Sequence, residues 1–300
     1  MFGVTILGNN SAIPAYDRHP TAQAVTLNEQ VFLIDCGEGT QMQLTRYKVR
    51  RSRINYIFIS HLHGDHYFGL IGLLTSMGLL GRENDLHLFA PAPLEQILDL
   101  QLAAADTRLP YRLHFHALSQ EGVIAETEKF TVECFKVFHR IECFGFIIRE
   151  KKRLRKLDRN KAIEAGVPTT YFENLKDGED FTRADGTVVK NESVTHANVP
   201  GKSFAFAADT LYHETIAEKV SQVTLLYHEA TYLKVHTDRA TDRFHSTAEQ
   251  AAMIAKAAGV EKMILGHFSS KYEKLDEFVM EARDIFPTCD LALEGVTYLV

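Results

Sequence analysis

The chain has 300 residues, 45% hydrophobic and 24% charged, enough to bury one large core or two ordinary ones. Its formal net charge of −6 argues against a generally basic nucleic-acid binder, and its four cysteines (Cys36, Cys134, Cys143 and Cys289) form neither a CxxC pair nor the disulfide framework of a small secreted domain. No run approaches the roughly 18 apolar residues of a membrane span, and MFGVTILG lacks a signal peptide's basic start and cleavage site, so a soluble, cytoplasmic protein with no membrane partner is expected.

Short β-branched and aromatic runs predict strands, and 3.6-residue periodicity predicts helices. In chain order, strands are expected at 4–8, 31–35, 54–60 and 86–90, then a helix at 94–105. Strands at 130–138, 144–150 and 203–208 precede a helix at 210–220. A strand at 224–230, a helix at 246–259, a strand at 262–266 and a helix at 276–286 complete the pattern. The many strands, with helices between the later ones, point to an α/β fold: a two-layer sheet core flanked by helices. Between 150 and 200 the apolar content falls and DGED, ADG and VPG turns accumulate. This stretch reads as an inserted arm on a single domain, and a long excursion of this kind is often functional. Basic residues also cluster, five in RYKVRRSR (46–53) and eight in REKKRLRKLDRNK (149–161), which keeps a phosphate-rich partner in play despite the acidic total.

The segment HLHGDH (61–66) places His61, His63, Asp65 and His66 directly after a buried-type strand. Two imidazoles in HxH leave an extended loop on one side and can chelate one metal; Gly64 allows a turn, after which Asp65 and His66 can face a second position. Imidazole with some carboxylate favours zinc, with manganese or iron as substitutes. Three further runs end in a ligand-type residue just past their last apolar position: FKVFH at His139, FAFAAD at Asp209 and MILGH at His267. Ligands in α/β sheets gather at one end of the strands. Five histidines and two aspartates suffice for two metals with one bridging carboxylate, a site that lowers the pKa of a water and clamps the attacking and leaving oxygens of a displacement.

A leaving-group acid is needed as well, and His245 is the candidate. It precedes STAE, where Ser246 and Glu249 have the spacing of a capping box that would fix its direction. Glu229, at another strand end, can orient the imidazole and raise its pKa. His19, His87, His114, His116, His196, His213, His228 and His236 are read as surface or core residues.

HxHxDH with later His, Asp and His resembles the metallo-β-lactamase superfamily, and the closer resemblance is to the short form of ribonuclease Z, the tRNA 3′-end processing endonuclease. It runs along nearly the whole chain: LGNNSAIPAYDRHPTA, DCGEGTQMQL, SHLHGDHYFGLIGLL, HRIECFGF, HEATY, FHSTAEQAA and GHFSSKY follow in family order. HLHGDH alone marks the superfamily; DCGEGTQ, HEAT, HST and GHFSS together are specific to this branch. The resemblance implies a metallo-β-lactamase fold, an αββα sandwich of two β-sheets, with a flexible exosite arm at 150–197 protruding toward the tRNA body. It implies two zinc ions per chain, one held by His61, His63 and His139, the other by Asp65, His66 and His267, with Asp209 bridging and Asp65 a candidate general base. It agrees with a Glu229–His245 pair. It also implies a homodimer acting on precursor tRNA and not on DNA; LIGLLTSMGLLG (70–81) could form the dimer contact or be core. Lys151, Lys152, Arg153, Arg155 and Lys156 at the arm's base, and Lys271, are candidate RNA contacts. The chain departs from the family pattern at Thr169–Thr170, where Gly-Pro is usual, at Asn9–Asn10, and at Lys271, where arginine is usual and bidentate geometry is lost.

The resulting expectation is an endoribonuclease that removes the 3′ trailer of tRNA precursors by cutting 3′ of the discriminator nucleotide. The alternatives are a small-molecule phosphodiesterase or other metallohydrolase of the superfamily, which has no need of a basic arm, and a non-catalytic RNA-binding protein, which has no need of the acid pair.

Overall fold

The computed structural model describes residues 1–152 and 154–300. Arg153, one of the candidate RNA contacts, lies outside the described residues.

Two seven-stranded sheets form the framework. The first runs in the order Thr297–Leu299, Phe2–Gly8, Ala22–Leu27, Gln30–Ile34, Ile54–Phe58, Leu86–Pro91, Leu113–Leu118. The second runs Cys289–Leu291, Lys262–Gly266, Leu225–Glu229, Ser203–Ala207, Phe144–Glu150, Phe130–Lys136, Gly122–Glu126. Alternation along each strand sends one set of side chains between the sheets and the other toward the helices. Phe58 meets Phe146 across the gap at 5.3 Å between ring centres, and Phe206 stacks on Tyr227 at 5.0 Å. Burying rings of this size contributes ~2–3 kcal/mol each. The outer face of the first sheet packs Leu33, Ile57 and Leu88 against Leu70, Leu73 and Leu74 of the helix Leu70–Leu79 and Leu94 and Leu98 of Pro93–Ala104. Helices Ala248–Ala258 and Asp276–Arg283 cover the second sheet. The expected αββα sandwich is therefore present.

All nine expected strands and four expected helices occur; Phe144–Glu150 and Lys262–Gly266 have the expected bounds, and the others have shifted ends. The helix expected at 210–220 forms only over Thr215–Lys219, because Thr210 is held by its backbone N–H to Glu229 and its hydroxyl to the Leu211 carbonyl. Strands Ala22–Leu27 and Leu113–Leu118 were not anticipated, since Gln23, His114 and His116 dilute the apolar signal while Gln23 is in fact buried. The helix Leu70–Leu79 is core along Leu70, Leu73, Leu74 and Met77, whereas Leu79 and Leu80 at its end stay 88% and 66% exposed. All four cysteines are buried and unpaired, and among the described residues no helix is long and apolar enough to cross a membrane.

Residues 126–131 and 149–202 make a second compact unit. Here the strand Arg155–Leu157 pairs antiparallel with Thr195–Ala197, bringing Arg155 opposite Ala197. Two short helices, Arg159–Glu164 and Phe172–Lys176, and the hairpin Phe181–Thr182/Val188–Val189 surround a small core of Ala162, Val167, Phe172, Leu175, Val189 and Val194. Asp158 caps the first helix by accepting from Lys161 N at 3.2 Å. Thr169 and Thr170, at the departure from the family pattern, begin a single turn of 3₁₀ helix after Pro168. The segment is thus folded around its own core and is less irregular than its turn-rich sequence suggests.

Candidate metal centre

The site is built where parallel strands end together. Gln30–Ile34 and Ile54–Phe58 run parallel in one sheet, and Ser203–Ala207, Leu225–Glu229 and Lys262–Gly266 run parallel in the other. Their carboxyl ends therefore share an edge, and the next residues are Asp35, the His61 loop, Asp209, Ala230 after Glu229, and His267.

Donor atoms converge there in three overlapping groups, each with its ligand atoms within 4.8 Å of one another: His61, His63, His139 and Asp209; Asp65, His66 and His267; and Asp209, His245 and His267. In the first group His63 Nδ1 lies 3.0 Å from His61 Nε2 and 3.1 Å from His139 Nε2. Asp209 Oδ2 faces His61 Nε2 at 3.7 Å, His66 Nε2 at 3.4 Å and His267 Nε2 at 3.2 Å. It thus stands between the two histidine sets. Asp65 Oδ2 approaches His66 and His267 Nε2 at 3.5 and 3.4 Å and accepts Ala12 N–H at 2.7 Å.

The far nitrogen of each ring decides which atom is free to ligate. His66 Nδ1 donates to Asp35 at 2.7 Å, and Asp35 also accepts Ser60 N–H and O–H at 2.7 and 2.9 Å. The Ser60 oxygen then accepts from His61 Nδ1 at 3.0 Å. His267 Nδ1 donates to Thr231 Oγ1 at 2.9 Å, whose proton goes to Glu229. His139 Nδ1 donates to the Phe244 carbonyl at 2.9 Å. In the neutral ring each of these bonds leaves Nε2 without a proton and free to ligate, and the buried Nε2 atoms of His66 and His267 have no hydrogen-bond partner. Inward nitrogens without a hydrogen-bond partner, beside two carboxylates, fit a divalent cation. The electrostatics of the side chains alone rest on a proton that a cation would replace: burial lowers His66, but Asp209, Asp65 and Asp35 more than offset it and push this imidazole well up. Burial raises the Asp65 and Asp209 carboxyls, but His66 and His267 outweigh it and hold both well below the usual range. Burial and the neighbouring His66 push His61 down, keeping its ring neutral as a ligand requires.

Backbone strain helps aim the donor side chains. Asp35 and His267 adopt left-handed backbone, with φ of 55° and 60°, uncommon for residues with a side chain and concentrated at functional sites. Gly37 and Gly69 let the DCGEG turn lie against the HGDHYFG segment, with Cys36 N on the His66 carbonyl at 2.7 Å and Gly69 N on the Cys36 carbonyl at 2.9 Å; a Cβ on either glycine would collide with backbone. Gly64 is not the sharp turn its position suggested: it starts the short helix Gly64–Tyr67, and a side chain there would strike the Phe68 ring.

Glu229 and His245 lie beside the donor groups. His245 Nδ1 is 2.8 Å from Glu229 Oε1. Glu229 is buried and also accepts Thr210 N, Ser246 N, Thr231 N and Thr231 Oγ1, which fixes its carboxylate. Burial lowers the His245 pKa, but Glu229 more than offsets this, and the imidazole is pushed up to about 9. The capping box is one residue later than expected. Ser246 is engaged by Glu229 and by the Thr210 carbonyl, so Thr247 caps the helix Ala248–Ala258, with Gln250 reaching back.

The sequence-derived site residues therefore come together, apart from the cations. Lys151 pairs with Glu126 at 2.5 Å and Lys152 with Glu150 at 3.1 Å. Arg155 bonds Thr195 Oγ1 at 2.6 Å within its strand pair, and Lys156 is exposed. Lys271 Nζ touches His236 Nε2 and lies over the Tyr272 ring at 5.8 Å. Asp35 and Thr231 were missed as orienting residues; Asp35 carries the same signal as the ligands, a polar residue just past an apolar run. Asn9 and Asn10 brace the neighbouring loop, donating to the carbonyls of Ala292 and Ile13, each at 2.6 Å.

Two facing sheets with His/Asp clusters at their strand ends define a divalent-metal hydrolase of the metallo-β-lactamase fold. A metallo-β-lactamase fold protein of Bacillus subtilis superposes with a TM-score of 0.70 at 19% identity over 99% of this chain and 98% of its own. The family model described as Anti-Pycsar protein Apyc1 matches residues 2–162, the half that carries HLHGDH and His139 but stops short of Asp209, Glu229, His245 and His267. A ribonuclease Z of Bacteroides fragilis is 40% identical over 297 residues, covering 98% of both chains. The structure of human tRNase Z, short form, superposes with a TM-score of 0.71 at 25% identity over 99% of this chain and 98% of that one. The chain belongs to the ribonuclease Z family.

Proposed function

We propose that the protein is an endoribonuclease that removes the 3′ trailer of precursor tRNA by cutting 3′ of the discriminator nucleotide, leaving a tRNA 3′-hydroxyl and a trailer 5′-phosphate. The observation that carries this reading is the match to ribonuclease Z along 98% of both chains, which includes the second-half residues. His61, His63 and His139 would hold one zinc ion, Asp65, His66 and His267 the other, with Asp209 between them. Bound ions would polarise the phosphoryl oxygens and ease deprotonation of the attacking water. Asp65, with one carboxylate oxygen braced by Ala12 N–H, takes that proton. His245 donates Nδ1–H to Glu229, which leaves its Nε2 proton for the departing ribose 3′-oxygen. The new O–P bond forms as the P–O3′ bond breaks, one proton going to Asp65 and one coming from His245. A cytoplasmic location follows from such a substrate.

Offered a 3′-extended tRNA precursor and bis-p-nitrophenyl phosphate, the zinc-loaded protein is expected to cut the precursor at the discriminator. Hydrolysis of the small ester alone would sink the tRNA reading in favour of a small-molecule phosphodiesterase.

The unit at 149–202 is proposed as the arm that holds the tRNA body, with the cations at its base as phosphate contacts. The surface ion pairs of Lys151 and Lys152 are weak enough for phosphates to displace them. Because Arg155 and Ala197 are paired neighbours, a short linker can replace residues 155–197 without stretching the chain. That deletion is expected to raise KM for precursor tRNA about tenfold or more, equivalent to about 1.4 kcal/mol of binding, while sparing the small ester. Equal loss on both substrates would refute the arm's role. A homodimer is also proposed, supported by exposed Leu79 and Leu80; sedimentation equilibrium should give the mass of two chains, and Leu79→Glu should halve it.

A further inference from the structure

A cleft of about 580 Å³ opens over the donor atoms, and its rim is electrostatically lopsided. Three arginines line it, Arg140, Arg239 and Arg243, and all are exposed. They belong to one continuous stretch of rim. Arg140 follows His139, whose ring donates to the Phe244 carbonyl; Arg243, Phe244 and His245 are consecutive; and the Tyr232 ring, edge-on to His245 at 6.2 Å, lies under the Arg239 guanidinium at 5.7 Å. Elsewhere the rim contributes Ser11, Pro20, Glu38, Phe68 and Ser269.

Among the described residues none of the three guanidiniums is ion-paired with a carboxylate. Arg140 has one polar neighbour, His63 Nε2 at 3.1 Å. A His63 that turns Nδ1 toward His61 and His139 as a ligand carries its own proton on Nε2, so the two groups meet donor to donor. With His63 so ligated, that contact would not retain Arg140, whose exposed guanidinium lines the cleft. Three unneutralised arginines over a partly enclosed cleft, in a chain of net charge −6, concentrate positive potential where most of the surface does not. A guanidinium presents a planar fork of donors that matches two oxygens of a phosphate.

We propose that Arg140, Arg239 and Arg243 clamp backbone phosphates of the RNA strand on the tRNA side of the cut. The inference rests on the endoribonuclease reading above and adds a direction to it. The arginines share their stretch of rim with His245. If His245 protonates the ribose 3′-oxygen, the strand that ends in that oxygen runs along this stretch, and the trailer leaves past the less charged remainder. The lysines and arginine of the 149–202 unit would hold the tRNA body; these three would hold its end.

The test uses full-length, metal-loaded protein and its Arg140→Ala, Arg239→Ala and Arg243→Ala variants, singly and together. Binding of a tRNA that ends at the discriminator, with no trailer, is followed by fluorescence anisotropy against salt. Each substitution is expected to weaken binding severalfold and to lower the salt-dependence slope by about one, the signature of one lost phosphate contact; the corresponding lysine variants should recover part of the affinity. In cleavage, the loss on precursor tRNA should exceed any loss on bis-p-nitrophenyl phosphate by about tenfold for the triple variant, the effect of about 1.4 kcal/mol. Unchanged binding of the trailer-free tRNA, or a defect seen only when a long trailer is present, overturns the assignment. Equal losses on both substrates overturn it too, since the arginines would then be supporting the metal site. Wild-type protein that leaves precursor tRNA uncut overturns the endoribonuclease reading itself; wild-type cleavage with unaffected variants overturns the clamp alone.

Discussion

His245→Ala is expected to lower turnover on precursor tRNA by about 10²–10⁴-fold, the usual worth of a general acid, with metal content near that of the wild type. The reason is the leaving group. An alkoxide of a ribose 3′-carbon is a poor leaving group without a proton, and His245, held by the buried Glu229 carboxylate, is poised to give one. The p-nitrophenolate of bis-p-nitrophenyl phosphate leaves without help, so the same variant should lose far less on that ester. The pH profile supplies an independent check. A histidine pushed up to about 9 carries its proton below that pH and loses it above. Wild-type kcat should therefore fall as pH rises through that region, or through a lower one if bound cations draw the value down. The variant should lack this alkaline limb, and Glu229→Gln should move it to lower pH. His245 also lies in a donor group with Asp209 and His267. Loss of metal in His245→Ala would make it a ligand and remove the case for an acid.

Asp209→Ala should have the largest effect on metal content. Its Oδ2 is a carboxylate oxygen that faces Nε2 atoms of both histidine sets, 3.7 Å from His61 Nε2 and 3.2 Å from His267 Nε2. Removing it takes a buried carboxylate charge from between the two histidine sets. Affinity is expected to fall by more than the roughly 10–100-fold seen when a merely orienting partner is lost, and turnover by at least about 10³-fold. Elemental analysis of protein purified without added metal should show the deficit. Asp209→Asn, which keeps shape and an oxygen but not the charge, should bind less metal than wild type and retain its melting temperature better than the alanine variant. Wild-type metal content in both variants would refute a bridging role.

Much of the metal centre was legible in the chain because of a simple regularity. His61, His139, Asp209 and His267 each follow the last apolar residue of a strand-like run, and a polar residue there has no core to enter. Periodicity reveals such positions, and HLHGDH then supplies the density of ligand types that makes them a set. Asp35 shows the limit: it obeys the same rule, yet only the fold reveals that it is turned by a left-handed backbone onto His66. Thr231 is similar, a hydroxyl whose importance depends on sitting between Glu229 and His267. The cations were the least legible. The runs that stand out by composition are partly tied in ion pairs, while Arg140, Arg239 and Arg243, scattered over about a hundred residues, line one cleft.

The sequence by itself determined the alternation of strands and helices, the donor-type residues and their places at strand ends, and the family. Those follow from local apolar patterning and from residue chemistry, which are properties of short stretches. Only the tertiary structure decided which histidine nitrogen is free, which carboxylate stands between the two sets, where the second-half helix is capped, and which arginines face the cleft. Each depends on hydrogen bonds and approaches between segments far apart in the chain, such as His139 on Phe244, 105 residues away. Their geometry is fixed by how two sheets pack and not by any local propensity.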